Sequence, residues 1–220
     1  MKLKTIPMLC LFLLVLLSCS EARTDSNANH MLTADQQQPQ DTAGLTIATF
    51  AGGCFWCTEG YFESLKGIKH VESGYTGGKK PNPTYEEVSR GNSGYAEAVQ
   101  IYYDPKILSF QELLEVFFAT HDPTTLNRQG PDVGEQYRSA VFYHNQEQKQ
   151  LTEKYINQLN LKGTYTKKIV TAVEPFTTFW VAEEYHQDFY KRNPNNPYIK
   201  NVMQPKMKKL ETTFKDKLKQ

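Results

Sequence analysis

A double glycine followed at once by cysteine, Gly52-Gly53-Cys54-Phe55-Trp56-Cys57, limits how this chain can fold more than any other stretch. An apolar run over residues 45–51 precedes it and predicts a buried strand. Residues 58–65 follow and predict a helix. Two glycines let the backbone turn sharply between strand and helix. Cys54 then falls at or beside the first helical residue, where free N–H groups and the positive end of the helix dipole favour a thiolate. A thiolate is the attacking form of cysteine, so a nucleophile is expected here. Cys57 lies three residues on, on the same helix face, with Cα atoms within the roughly 4.4–6.8 Å that a disulfide spans. The alternatives are inert packing of both thiols or half of a zinc site. Zinc takes four ligands and no second such pair of cysteines exists, so no metal is expected.

The rest of the chain reads as alternating strands and helices. Residues 67–75 predict a strand entering the Gly77-Gly78 turn, and residues 84–89 a short helical turn. Residues 95–104 predict the clearest strand, with Ala96, Ala98, Gln100 and Tyr102 alternating against Glu97, Val99, Ile101 and Tyr103. Ser109 begins a helix with Glu112 three residues on, the spacing of a capping box. Phe110, Leu113, Leu114, Phe117 and Phe118 give that helix one apolar face. A long polar loop over 121–137 has the length of one that serves a site. A strand at 138–143, a helix at 145–160, a strand at 169–173, a helix at 182–191 and a charged last helix complete the order. This is an α+β order, a helix layer on a largely antiparallel sheet.

Gly-Gly-Cys-Phe-Trp resembles the active-site signature of the A-type peptide methionine sulfoxide reductases, which act on the S epimer. The resemblance runs from about Thr46 to Lys209. It implies a two-layer α/β sandwich with a ferredoxin-like core and peripheral coil. It also implies thiol-dependent reduction of methionine sulfoxide, free or in proteins, through a sulfenic acid on Cys54. No cofactor is then needed beyond an external thiol reductant such as thioredoxin. Such a reaction requires a thiolate, an acid to protonate the sulfoxide oxygen, and a pocket for a methyl group beside a polar S=O. Glu97, in Gly-Tyr-Ala-Glu-Ala-Val-Gln, matches the family's essential glutamate, although a lone strand glutamate is more often a surface residue at a sheet edge. Tyr85 and Tyr137 match its two pocket tyrosines, and Asp132 the carboxylate near the site. Phe55 and Trp56 offer rings to the methyl group, with helix core as the competing reading of Phe55. His186 also matches the family pattern and reads as structural. No cysteine follows His186, so the C-terminal recycling cysteine of many members is missing and Cys57 is left as the candidate resolving thiol. Two other classes compete: a thioredoxin-like disulfide exchanger using Cys54 and Cys57, and a non-catalytic envelope lipoprotein.

The net charge of +1, from 25 basic and 24 acidic residues, argues against a nucleic-acid partner. Residues 1–19 read as a signal peptide: Lys2 and Lys4, then an apolar run from Ile6 to Leu17 too short to span a bilayer. Its end, Leu16-Leu17-Ser18-Cys19, resembles a bacterial lipoprotein signal, in which Cys19 becomes the acylated first residue. Ordinary cleavage after Ala22 is the alternative. Residues 20–44 read as a disordered polar tether and 45–220 as the reductase domain. The expected location is the bacterial cell envelope, with a lipid anchor as the only membrane contact.

Overall fold

A computed structural model of the protein describes residues 42–219. The expected signal segment with Cys19, and the tether up to residue 41, lie outside the described residues. β1 (Thr46–Gly52) leads through the glycine turn into α1 (Phe55–Glu63), and β2 (Ile68–Thr76) follows. α2 (Tyr85–Ser89) is short and precedes β3 (Ala96–Tyr103) and α3 (Phe110–Thr120). The loop after α3 contains a small hairpin, β4 (Arg128–Gln129) and β5 (Asp132–Val133). Then come β6 (Ser139–Tyr143), α4 (Gln146–Leu161), β7 (Ala172–Pro175) and β8 (Phe179–Val181). α5 (Phe189–Arg192) and α6 (Gln204–Thr213) end the order.

The main sheet is six-stranded, in the order β7-β6-β1-β3-β2-β8. The fold is α+β, as the alternation of elements predicts, but the sheet is mixed. β7 runs parallel to β6, with Ala140 opposite Ala172. The cause is the crossover: α4 returns the chain to the end at which β6 began, so β7 must run in the same direction. The expectation of a largely antiparallel, ferredoxin-like sheet is corrected to that extent.

All eight residues of β3 are buried, because both sheet faces are covered. Val99, Ile101 and Tyr103 enter the large core with Phe50, Phe62 and Phe117 beneath α1 and α3. Ala96 and Ala98 enter a smaller cluster with Ala51, Ala140 and Phe142, where Phe176 and Phe179 pack from outside. β3 is thus an interior strand, and the edge-strand reading of Glu97 fails on topology.

Two local expectations change. The strand expected at 169–173 lies at Ala172–Pro175. The helix expected over 182–191 is replaced by a 3₁₀ turn, Glu184–His186, and by the four-residue α5. Asp188 stands between them at φ 51, which no continuous helix permits. Gln187 shows why: its Oε1 accepts from Ser73 N at 2.9 Å, and its Nε2 donates to Ser73 O and Ala182 O, both at 2.9 Å. A tertiary clamp to β2 outweighs the helical pattern.

Candidate active site

The elbow between β1 and α1 can be built only with glycine at Gly53. Its φ is +95, and a Cβ there would lie 2.5 Å from Gln129 Cγ. Cys54 is the N-cap of α1, half-buried, with no side chain capping the helix. Its carbonyl accepts from Cys57 N at 3.2 Å and Thr58 N at 3.3 Å, which starts the helix. The first free amide is satisfied from elsewhere: Phe55 N donates to Glu97 Oε2 at 3.1 Å.

Glu97 is 1 % exposed. Burial pushes its carboxyl up to about 8, and the Asp132 and Cys57 charges add to this against the Phe55 N–H. At neutral pH the group therefore holds a proton. One oxygen is fixed by the backbone, and the proton is available at the site.

The thiols depart from the sequence expectation. Burial pushes the Cys54 thiol well up, and hydrogen bonding with Cys57 and the nearby Glu97 charge push the same way. The helix N-terminus favours an anion, but the net direction at Cys54 is upward. Cys54 is therefore a thiol at rest rather than a preformed thiolate. Cys57 is buried and shifted down by its interaction with Cys54, against burial, with help from the Lys206 charge. The buried Tyr61 hydroxyl has no hydrogen-bond partner.

Two phenols face the same centre. Burial raises Tyr85 to about 12, and the charges of Glu97 and Cys54 act in the same direction. Tyr137 is raised further, by burial and by the same two charges. Both stay protonated and can donate. Asp132 Oδ2 accepts from Tyr198 OH at 2.5 Å.

Trp56 is half-buried at the rim. Its Nε1 donates to His186 Nδ1 at 3.0 Å, and its ring stacks on Phe189 with centroids 3.7 Å apart. Phe55 is 1 % exposed and belongs to the core, with Tyr75 at 5.9 Å and His186 at 5.0 Å between ring centroids. The structure thus gathers Cys54, Cys57, Glu97, Tyr85, Asp132, Tyr137, Trp56 and Phe55 around one elbow. Sequence reasoning missed Tyr198, Phe189, Tyr75 and Glu183. Glu183 accepts from Tyr85 N at 2.9 Å and from Tyr75 OH at 2.8 Å, tying the segment before His186 to the backbone at the start of α2 and to the Tyr75 ring. In the sequence Glu183 stands out only, with Asp188, as a polar neighbour of His186 with no ligand spacing, while Tyr198 is one of 13 tyrosines with no pattern to mark it. Among the described residues no cluster of three His, Cys, Asp or Glu side chains forms a metal site. The assembled groups are a thiol, a protonated carboxyl, two phenols, an aromatic wall and a second thiol. Together they suit transfer of an oxygen atom from a bound donor to the thiol sulfur.

Comparison with known proteins points the same way. The sequence profile of the family described as "Peptide methionine sulfoxide reductase" matches residues 46–218. The chain is 55% identical over 176 residues to "Peptide methionine sulfoxide reductase MsrA 1" of Rhodopirellula baltica, covering 80% of this chain and 91% of that protein. The crystal structure of reduced Mxr1 from Saccharomyces cerevisiae superposes with a TM-score of 0.68 at 37% identity, over 73% of this chain and 92% of Mxr1. Mxr1 in complex with Trx2 superposes with a TM-score of 0.50 at 28% identity, over 70% of this chain and 91% of Mxr1.

Proposed function

The chain belongs to the peptide methionine sulfoxide reductase family, and from that premise we propose the part each residue of the site plays. The enzyme reduces the S epimer of methionine sulfoxide, free or in proteins, to methionine with thiols as the source of electrons. The observation that carries the assignment of roles is the Phe55 N–H to Glu97 hydrogen bond, which sets a protonated carboxyl beside the nucleophile.

Cys54 Sγ attacks the sulfoxide sulfur. Glu97 gives its proton to the sulfoxide oxygen and takes the proton that leaves Cys54. Tyr85 and Tyr137 donate to the same oxygen. Asp132 orients Tyr198 at the rim. Phe55 backs the wall, and Trp56 faces the methyl group. In sum, Cys54–SH and the sulfoxide become Cys54–SOH and methionine. The Cys57 thiol then condenses with the sulfenic acid, forming a disulfide and releasing water. An external dithiol of the thioredoxin kind reduces that disulfide. The complex of the relative Mxr1 with Trx2 supports this partner.

The N-terminal 19 residues extend the reading to an exported, lipid-anchored enzyme of the bacterial envelope, with Cys19 acylated. Radioactive fatty acid should label the wild type and not Cys19→Ala; label persisting in the variant removes the anchor. For the chemistry, the purified protein is given methionine S-sulfoxide or an insulin-type disulfide with dithiothreitol. Methionine should be released, and Cys54→Ser should release none. Methionine release by Cys54→Ser would displace Cys54 as the nucleophile.

A further inference from the structure

The indole of Trp56 is held from three directions. Its Nε1–H donates to His186 Nδ1 at 3.0 Å. Phe189 stacks on one face, with centroids 3.7 Å and planes 10° apart. Tyr198 meets it edge-on, at 6.1 Å and 81°. An indole nitrogen can only donate, so Nδ1 of His186 is bare and the ring proton sits on Nε2.

That arrangement leaves a buried group unsatisfied. His186 is 1 % exposed, and its Nε2 has no hydrogen-bond partner; the Glu183 carboxylate is 4.0 Å away. Folds normally avoid an orphan buried donor. The other tautomer would set one N–H against another, so the orphan follows from keeping an acceptor pointed at Trp56. Phe55, Tyr85 and Tyr185 pack around the imidazole, with centroids 5.0, 4.4 and 4.2 Å away, and fix its plane. Burial also holds the imidazole neutral, against the Glu183 and Glu86 charges.

We infer that His186 is a positioning residue for the reaction: its bare Nδ1 locks the Trp56 indole into a rigid wall, and that wall sets the preference for a methyl over a longer alkyl group on the sulfoxide sulfur. The inference rests on the reading of Trp56 as the wall that meets the methyl group. A rigid apolar pocket discriminates one methylene by roughly tenfold or more. A mobile indole yields to the larger group.

The test uses the full chain, with methionine S-sulfoxide and ethionine S-sulfoxide as substrates and dithiothreitol as reductant. His186→Phe keeps a ring and removes the acceptor. His186→Asn keeps an acceptor close to the Nδ1 position. His186→Phe should raise KM for methionine sulfoxide roughly tenfold, hold kcat within about threefold, and lose most of the methyl-over-ethyl preference. His186→Asn should restore the preference. In the wild type, ¹⁵N resonances should show Nδ1 unprotonated and Nε2 protonated, a readout that does not depend on any variant folding. Protonated Nδ1, or an unchanged preference in His186→Phe, overturns the inference. Trp56→Ala separates the two ideas: if it too leaves the preference intact, the reading of Trp56 fails. If only His186→Phe leaves it intact, the positioning role alone fails.

Discussion

Two carboxyl groups each accept a backbone N–H at the start of a helix, and their chemistry is opposite. At α3, Glu112 Oε2 accepts from Ser109 N at 2.9 Å, and Ser109 Oγ accepts from Glu112 N at 3.3 Å, so the helix closes its own end. Partial burial opposes ionisation of Glu112, but Lys217 and the Ser109 N–H and hydroxyl pull its carboxyl down to about 2. At α1 no residue of the helix caps its start, and Glu97 comes from β3 to accept from Phe55 N. Burial there raises the carboxyl to about 8. The same hydrogen bond is made to an ion in one place and to an acid in the other. Complete burial with no cation at Glu97, against a Lys217 partner at the half-exposed Glu112, decides which, and so decides which helix start is structural and which can move a proton.

Converting the α1 acid into a neutral acceptor should break the contrast most severely. Glu97→Gln keeps an oxygen for Phe55 N–H and has no proton to give. Its single-turnover methionine release should be slower by roughly 10²–10⁴-fold. The wild-type rate should also fall as pH rises through about 8, where Glu97 ionises, and the variant should lack that step. A Gln variant at wild-type rate would remove Glu97 from the reaction.

The open start of α1 matters next for Cys57. An i, i+3 pair reaches disulfide geometry more readily when the first turn can loosen; Cys54 makes no side-chain cap here, and the tie on the first amide is the one from Phe55 N to Glu97. Cys57→Ser should release one equivalent of methionine at a near-normal rate and then turn over at least about tenfold more slowly with thioredoxin, since the sulfenic acid has no internal partner. Dimedone should trap that species in the variant, and peptide mapping should find a Cys54–Cys57 disulfide in the wild type. Full thioredoxin-dependent turnover in Cys57→Ser would leave Cys57 as packing alone.

Stability should respond to pH in opposite directions at the two ends. The folded pKa of Glu97 is raised above the unfolded value of about 4.3, so the folded state holds the extra proton and stability falls as pH rises from there to about 8. Glu112 is depressed, so its contribution is present above about 4.3 and is lost as pH falls through about 2. Glu97→Gln should therefore be more stable than wild type near pH 9 and close to it near pH 4, by urea denaturation. Glu59, also buried and raised to about 8, keeps part of the alkaline slope in the variant. A Gln variant that is destabilised at pH 9 would mean that the fold favours the ionised carboxylate and that burial does not raise the Glu97 pKa.

The contrast also marks what a sequence can disclose. α3 was legible from Ser109-x-x-Glu112 and the spacing of its phenylalanines, because cap and apolar face lie within a few residues, while the Lys217 partner of Glu112, 105 residues on, was not. The strand-turn-helix around Cys54 was legible for the same reason. The state of the Cys54 thiol was not, because it depends on burial by distant segments. The tail showed the opposite of local legibility: Gln187 is clamped to Ser73, 114 residues away, and Tyr198 reaches Asp132 across 66. The parallel β7 was hidden too, since hydrophobic period reports a strand and not its direction. Resemblance supplied Glu97, Tyr85, Asp132 and Tyr137, which no local period singles out.

The smallest expected effect is the sharpest control on the whole contrast. Ser109→Ala removes the hydroxyl that accepts from Glu112 N and donates to Glu112 Oε2 at 2.8 Å. Loss of an N-cap costs about 1 kcal/mol, which is about 2–4 °C in Tm for a domain of this size. Lys217 still pairs with Glu112, so the carboxylate stays ionised and the end of α3 stays tied to the chain beyond α6. α3 meets Gly52 of the elbow through Phe117 and its C-cap His121, and the substitution lies two turns or more away from both. kcat/KM for methionine sulfoxide should therefore remain within about twofold of wild type, while the Tm falls. A loss of activity in step with the loss of stability would show that the two helix starts are coupled through the core. The start of α3 would then belong to the site, and the division between a structural cap and a chemical one would fall.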